Sequence, residues 1–481
     1  MRIGFVASEA VPFVKTGGLA DVAGSLPKAL AALGHDVRVF LPKYYQIPQE
    51  YREKMEHVWS GEINVAWRRK FIGIDRLEED GVTWYFIDNE DYFRRDSLYG
   101  SFDDAERFSF FCRGVLTAMG VLDFFPDILH ANDWHSALVP VLLRLEHIGD
   151  GRYESVRSVF TIHNLKYQGV FDKGIMPDVL GLDWKYFNNG DLEYYDAVNF
   201  MKGGIIYADM VTTVSRTYAD EIQYEYFGEG LHELLRSRAE MGKLTGIVNG
   251  IDNESFDPRT DRRLVYSYGV EDIHLKFENK AALQHQLGLP ENRCAPMISM
   301  VTRLVEAKGL DLVMRVIDEL LSQENMQFVL LGVGDAVYEA WFRELAWRHP
   351  DKVSVNLSFA SELAQRIYAA SDIFLMPSKY EPCGIGQLIA MRYGAVPIVR
   401  ATGGLKDTVE QYDKLTGKGN GFVFPNYNAH ELLFTMKRAL SLYKDMTAWS
   451  ALARNSMKSD FGWKRSAKEY IRLYEGLKHE G

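Results

Sequence analysis

Cysteine is scarce in this chain. Cys112, Cys294 and Cys383 are the three among 481 residues, scattered and odd in number. That excludes a disulfide framework, and their spacing matches no zinc site, so a reducing compartment is expected. No apolar run approaches membrane-spanning length. No signal-type apolar region precedes the strand-like Arg2-Ile3-Gly4-Phe5-Val6-Ala7 either, so the expectation is a soluble cytoplasmic protein with no membrane partner. Positive charge is in deficit: 55 Lys and Arg stand against 66 Asp and Glu, a net charge of -11. This argues against a nucleic-acid partner, while a local basic pocket for phosphate remains compatible. Low-complexity segments and short-period repeats are missing, which excludes solenoids. Neither a metal nor a cofactor is expected.

What is present is a core-forming composition, 47% hydrophobic, in a chain longer than a usual single core, so two domains are expected. Strand-like runs alternate with helix-like stretches almost throughout, the pattern of parallel sheets covered by helices. Predicted strands include Val37 to Leu41, Asp127 to His130, Val159 to His163, Met210 to Val214 and Leu244 to Val248, and then Met297 to Thr302, Phe328 to Gly332, Val353 to Leu357, Ile373 to Met376 and Val396 to Val399. The break falls near Asn249-Gly250-Ile251-Asp252, ahead of a polar stretch with Pro258.

One tetrapeptide occurs twice, Thr16-Gly17-Gly18-Leu19 and Thr402-Gly403-Gly404-Leu405, each with an aspartate two residues on, Asp21 and Asp407. Each copy follows an apolar run and leads into a helix-like stretch. Glycines let backbone amides approach a ligand and helix-opening amides lack partners, so each loop is a candidate anion cradle; a plain strand-to-helix turn is the alternative. In open parallel sheets, ligands sit beyond the strands' carboxyl ends. There the chain supplies Asp133-Trp134-His135, His163-Asn164, Arg303 with Lys308, and Ser378-Lys379-Tyr380-Glu381-Pro382-Cys383-Gly384. Arg303 and Lys308 suit a diphosphate. Glu381 sits in a Pro/Gly-bracketed loop that suits either sugar hydroxyls or a helix cap. Cys383 is discounted as a nucleophile because no ordered His partner is evident.

In this order the motifs resemble the bacterial glycogen synthase and plant starch synthase family, from Lys15-Thr16-Gly17-Gly18-Leu19 through Asn249-Gly250-Ile251-Asp252 to Thr402-Gly403-Gly404-Leu405, over almost the whole chain. The resemblance implies a GT-B α/β fold of two Rossmann-like doubly wound domains facing across a deep cleft, spanning 1–252 and 253–459, with a helix from 460 to 481 crossing back to the first. It implies transfer of glucose from a nucleotide-diphosphate glucose, ADP-glucose favoured, to the non-reducing end of an α-1,4-glucan with retention. Glu381, His163, Asp133, Arg303 and Lys308 would be catalytic. Lys15, Gly18, Asp21, Trp134, His135, Asn164, Asn249, Cys383, Gly384, Thr402, Gly403, Gly404 and Leu405 would bind substrate. Within that set, the amides of Gly403, Gly404 and Leu405 would support the diphosphate, and Lys15 and Gly18 would close the site from the other domain.

The chain departs from the family pattern at three places. Ile389 stands eight residues after Glu381, where wider retaining transferases carry a second Glu. Ile385-Gly386-Gln387 lacks a threonine hydroxyl. Ala360 occupies the position expected to carry a base-stacking ring. UDP-glucose as donor, a small-sugar acceptor and a non-catalytic glucan-binding protein are the alternatives. A Rossmann dehydrogenase fits worst, because neither glycine loop reads Gly-x-Gly-x-x-Gly.

Overall fold

The computed structural model describes residues 1–147 and 149–479. Short apolar runs become buried strands, and the periodic stretches between them become helices that cover the sheets. The chain divides into two units. One contains Met1–Val214 and Ala219–Ile247 with the closing helix Trp463–His479; the other contains Ser215–Tyr218 and Val248–Gly462.

The first unit holds β1 (Arg2–Val6), β2 (Asp36–Pro42), β3 (Glu56–Val65), β4 (Arg68–Glu79), β5 (Val82–Asp88), β6 (Ile128–Asn132), β7 (Arg157–Ile162), β8 (Val170–Asp172), β9 (Glu193–Tyr194), β10 (Ala197–Asn199), β11 (Met210–Thr213) and β12 (Leu244–Gly246). Nine of these make one sheet in the order β12-β11-β7-β6-β1-β2-β5-β4-β3. The strands from β12 to β5 are parallel, while β4 and β3 add antiparallel at the edge. That edge hairpin is absent from the strands read off the sequence. Its outer strand reads Glu-His-Val-Trp-Ser-Gly-Glu-Ile-Asn-Val, exposed on one face, and carries none of the continuous apolar signal of the buried parallel strands. The closing helix is tied to the sheet by Tyr474, whose hydroxyl lies 2.7 Å from Nδ1 of buried His130 on β6, and by Lys478, 2.8 Å from Asp127.

The second unit has one all-parallel sheet of β13 (Met297–Val301), β14 (Gln327–Leu331), β15 (Val353–Asn356), β16 (Ile373–Met376), β17 (Val396–Arg400) and β18 (Phe422–Phe424), in the order β15-β14-β13-β16-β17-β18. The order reverses at β13 beside β16, and loops leaving those strands at their carboxyl ends form the crevice where doubly wound sheets bind ligands. One apolar cluster packs Ile298, Met300, Phe328 and Leu330 on the strands against Leu312, Val316 and Leu320 on the helix Leu310–Gln323, and a second gathers Met297, Val329 and Leu331 from the alternate strand positions. Among the described residues, no helix is long and apolar enough to cross a membrane.

Candidate active site

In the first unit the polar residues gather beyond β6 and β7. Asp133 follows β6 with φ 56 and ψ 175, a conformation that costs a non-glycine residue on the order of 1–3 kcal/mol. Its amide donates to Thr161 O at 2.9 Å, its Oδ1 accepts the His163 amide at 2.8 Å, and the Asn164 backbone also bonds the carboxylate. Burial nevertheless dominates and raises the Asp133 carboxyl to about 7. His163 approaches Asn132 Oδ1 through Nε2 at 3.0 Å. Because the Asn132 amide nitrogen donates to Val6 O, Oδ1 must accept, so His163 carries its proton on Nε2. Burial lowers His163 to about 3, which makes it a neutral hydrogen-bonding group.

Glu9, which the sequence reading passed over, joins this set. It is 3% exposed, and its Oε2 accepts both the amide and the hydroxyl of Thr16 at 2.6 Å. The amides of Gly17 and Ala20 also lower its pKa, though burial outweighs them and the net shift is upward. The first glycine loop is therefore a cradle for a carboxylate, and the carboxylate is the protein's own. Gly17, the N-cap of helix Gly18–Ala31, has no side chain with which to cap it, and Glu9 serves instead. Lys15 bonds Asp21 at 2.7 Å, both partly exposed, and Gly18 is exposed.

Trp134 and His135 lie inward. The Trp134 ring stands 4.0 Å from that of His135, edge-on to Phe108, and directly under Gly169, where an added Cβ would come within 2.4 Å of it. Trp134 is 9% and His135 7% exposed, so both pack the floor of the site and neither offers an open ring face. Asn164 Oδ1 accepts the Lys166 amide at 3.1 Å in a local turn.

In the second unit, Arg303 and Lys308 follow β13, and Glu381 follows β16. Lys308 Nζ donates to Glu381 Oε2 at 2.6 Å, and the Ser378 hydroxyl donates to the same oxygen at 3.0 Å. The two loops are locked together by the Lys379 amide on Ala307 O at 2.9 Å. Gly309, at φ 69, permits this approach: a Cβ there would stand 2.1 Å from Pro377 O. Arg400, at the end of β17 and also missed by the sequence reading, fixes the loop from behind by donating to Ser378 O at 2.9 Å and Lys379 O at 2.5 Å. Arg303 is exposed on the same rim. Phe359, in the loop after β15, is 89% exposed. It immediately precedes Ala360.

The second glycine loop differs from expectation. The Gly404 amide donates to Glu381 O and Pro382 O, at 3.2 and 3.1 Å, and the Leu405 amide donates to Thr402 O at 3.1 Å. Both amides bond protein carbonyls. The glycines serve close packing: a Cβ on Gly403, which sits at φ 43, would be 1.9 Å from Glu381 O, and one on Gly404 2.0 Å from Cys383 O. Thr402 is fully buried, at the N-cap of helix Gly403–Thr408. Asp407 accepts the amides of Arg216 and Thr217, at 2.6 and 3.0 Å, and the Thr217 hydroxyl at 2.6 Å.

Cys383 is buried, with its thiol pushed up to about 12 by desolvation, the state of an inert thiol. Gly384 turns the chain at φ 73. Asn249 is buried, its backbone bonding Cys383, and its Oδ1 lacks a hydrogen-bond partner among the described residues.

Comparison with known proteins gives the same picture over the whole chain. Residues 2–237 match the family described as starch synthase catalytic domain, and residues 283–456 match glycosyl transferases group 1. A glycogen synthase of Clostridium novyi is 52% identical over 100% of both chains, and one of Anoxybacillus flavithermus is 50% identical over 99% of this chain and 98% of that one. The catalytic domain of starch synthase IV from Arabidopsis thaliana, solved with ADP and acarbose, superposes with a TM-score of 0.90 at 36% identity over 99% of each chain. Sucrose-phosphate synthase from Thermosynechococcus elongatus, at TM-score 0.63 and 19% identity over 100% of each, shares the fold alone. The two doubly wound units have the GT-B fold, and the chain belongs to the glycogen synthase family of glycosyltransferases.

Proposed function

We propose that the protein transfers glucose from ADP-glucose to the non-reducing end of an α-1,4-glucan with retention of configuration. The observation that carries this reading is the Lys308–Glu381 pair on the rim that also carries exposed Arg303, at the crevice of an all-parallel sheet, in a chain that a glycogen synthase matches along all 481 residues. Leaving-group departure builds negative charge on the diphosphate and an oxocarbenium-like sugar. Arg303 and Lys308 are cations suited to the first, and Glu381 is a carboxylate suited to the second. Neutral His163 and the Asp133 carboxyl fit sugar hydroxyls and the electron-poor ring carbon. Departure on the face from which the acceptor attacks, assisted by the leaving diphosphate, accounts for retention without a covalent intermediate.

Phe359 provides a face for the donor base, with the ring and Arg303 on one rim of the same sheet. The ADP bound to the Arabidopsis relative supports adenine as that base. Lys15, Gly18, Asp21, Asn164, Asn249, Gly384 and the Thr402–Leu405 turn shape the substrate sites, the last by holding the Glu381 loop in place.

Incorporation of labelled glucose into glycogen, with ADP-glucose and UDP-glucose in parallel, tests the reading. Incorporation chiefly from ADP-glucose is expected. Incorporation only from UDP-glucose would overturn the donor assignment, and glycogen binding without incorporation from either would favour a non-catalytic glucan-binding protein.

A further inference from the structure

Trp67 occupies the turn between β3 and β4 and is 74% exposed, yet it is held firmly. Its indole N–H donates to Asp178 Oδ1 at 2.9 Å. The Arg68 guanidinium lies 4.4 Å from the ring centroid, donates to Asp178 Oδ2 at 2.8 Å and reaches Glu106 at 3.3 Å. A ring immobilised in water has already lost the rotamer freedom that binding would otherwise remove.

Its position is informative. β4 runs antiparallel to β5 with Gly73 opposite Asp88 at the carboxyl end of β5, so Arg68–Ile72 extend beyond that rim by about 17 Å at ~3.4 Å per residue. The turn therefore projects from the rim that also carries Asp133 and His163. Four strand spacings, roughly 19 Å, separate β4 from β6 across it. Phe102, 95% exposed, stands just ahead of the helix Asp104–Val121 that supplies Glu106. Beside the turn lies a polar cavity of about 350 Å³, lined by Asn64, Arg113, Thr117, Glu146 and His147 among others.

We propose that Trp67 is a stacking platform for the acceptor glucan at a distance from its reacting end, with the cavity beside Asn64 receiving sugar hydroxyls. A pyranose presents an apolar face of C–H bonds, which the electron-rich face of an indole attracts, inside a ring of hydroxyls. The protein surface has the complementary arrangement, one apolar ring held between the charged Arg68 and Asp178. A protein partner would need a contiguous apolar patch, which charged neighbours interrupt. A second contact on the same polymer raises the local concentration of chain ends at the reacting site, so it favours long acceptors over short ones.

This inference rests on the glucosyl-transfer reading, and the test separates the two. Wild type, Trp67→Ala and Trp67→Phe are compared by electrophoresis through glycogen-containing gels and by initial rates with glycogen and with maltotriose. For Trp67→Ala, retardation by glycogen should weaken at least threefold and KM for glycogen should rise by a similar factor. Its kcat and maltotriose kinetics should stay unchanged, and Trp67→Phe, which keeps a ring but loses the N–H that Asp178 holds, should fall between wild type and Trp67→Ala. Equal retardation of wild type and Trp67→Ala would overturn the platform, as would equal losses with both acceptors. A wild type that extends maltotriose but is not retarded by glycogen would overturn the platform alone; one that extends no glucan would overturn both readings.

Discussion

Lys308 Nζ stands 2.6 Å from Glu381 Oε2, so the cation assigned to the leaving diphosphate is already paired with the carboxylate assigned to the sugar. Both are largely buried. In Lys308→Ala, the loss of one charge-assisted contact should lower kcat at least tenfold, about 1.4 kcal/mol in the transition state, in steady-state transfer assays. A folded variant with unchanged kcat would remove Lys308 from that role.

The two glycine loops should respond oppositely to a methyl group. Gly404→Ala places Cβ 2.0 Å from Cys383 O, so the loop bearing Glu381 must move, and both melting temperature and activity should fall sharply. Gly17→Ala places its Cβ 3.5 Å from Glu9 Oε1 at φ -149, so its melting temperature should stay within a few degrees of wild type.

Asp133 makes stability depend on pH. Its carboxyl is raised to about 7 in the folded chain against roughly 3.9 unfolded, so between those values the folded state holds a proton that the unfolded state has lost. The associated stability is full below the unfolded value and lost as pH rises through the folded value. Asp133→Asn keeps an oxygen acceptor for the His163 amide without that titration. Urea midpoints measured from pH 5 to 8 should show the variant gaining on wild type as pH rises, with the gap levelling off above about 7.

Phe359→Ala should raise KM for the donor several-fold with a smaller change in kcat, because base stacking is made equally in ground and transition states. Steady-state kinetics at saturating glycogen measure both.

Alkylation of the native protein should label exposed Cys294 and spare Cys112 and Cys383, both buried with thiols pushed up to about 12. Peptide mapping after a brief iodoacetamide pulse reads this directly.

The parallel strands were legible in the sequence because burial on both faces demands an uninterrupted apolar run; Ile373–Met376 coincides with β16. The β3–β4 hairpin was not, since one exposed face dilutes that signal. At the site, sequence identifies residue types at strand ends but not where their hydrogen bonds go. Only geometry shows that Glu9 fills the first glycine loop, that Glu381 O and Pro382 O occupy the Gly404 amide, and that Arg400 braces the Glu381 loop. Phe359 had a visible signal, an aromatic just past a predicted strand, but its exposure could be seen only in the structure.

The most direct measurement is proton NMR of the products formed from ADP-glucose and maltotriose. The account predicts one ADP for each glucose incorporated, maltotetraose as the first product, and the new glucose α-1,4-linked at the non-reducing end. A β-linked product, or ADP accompanied only by free glucose, would contradict it.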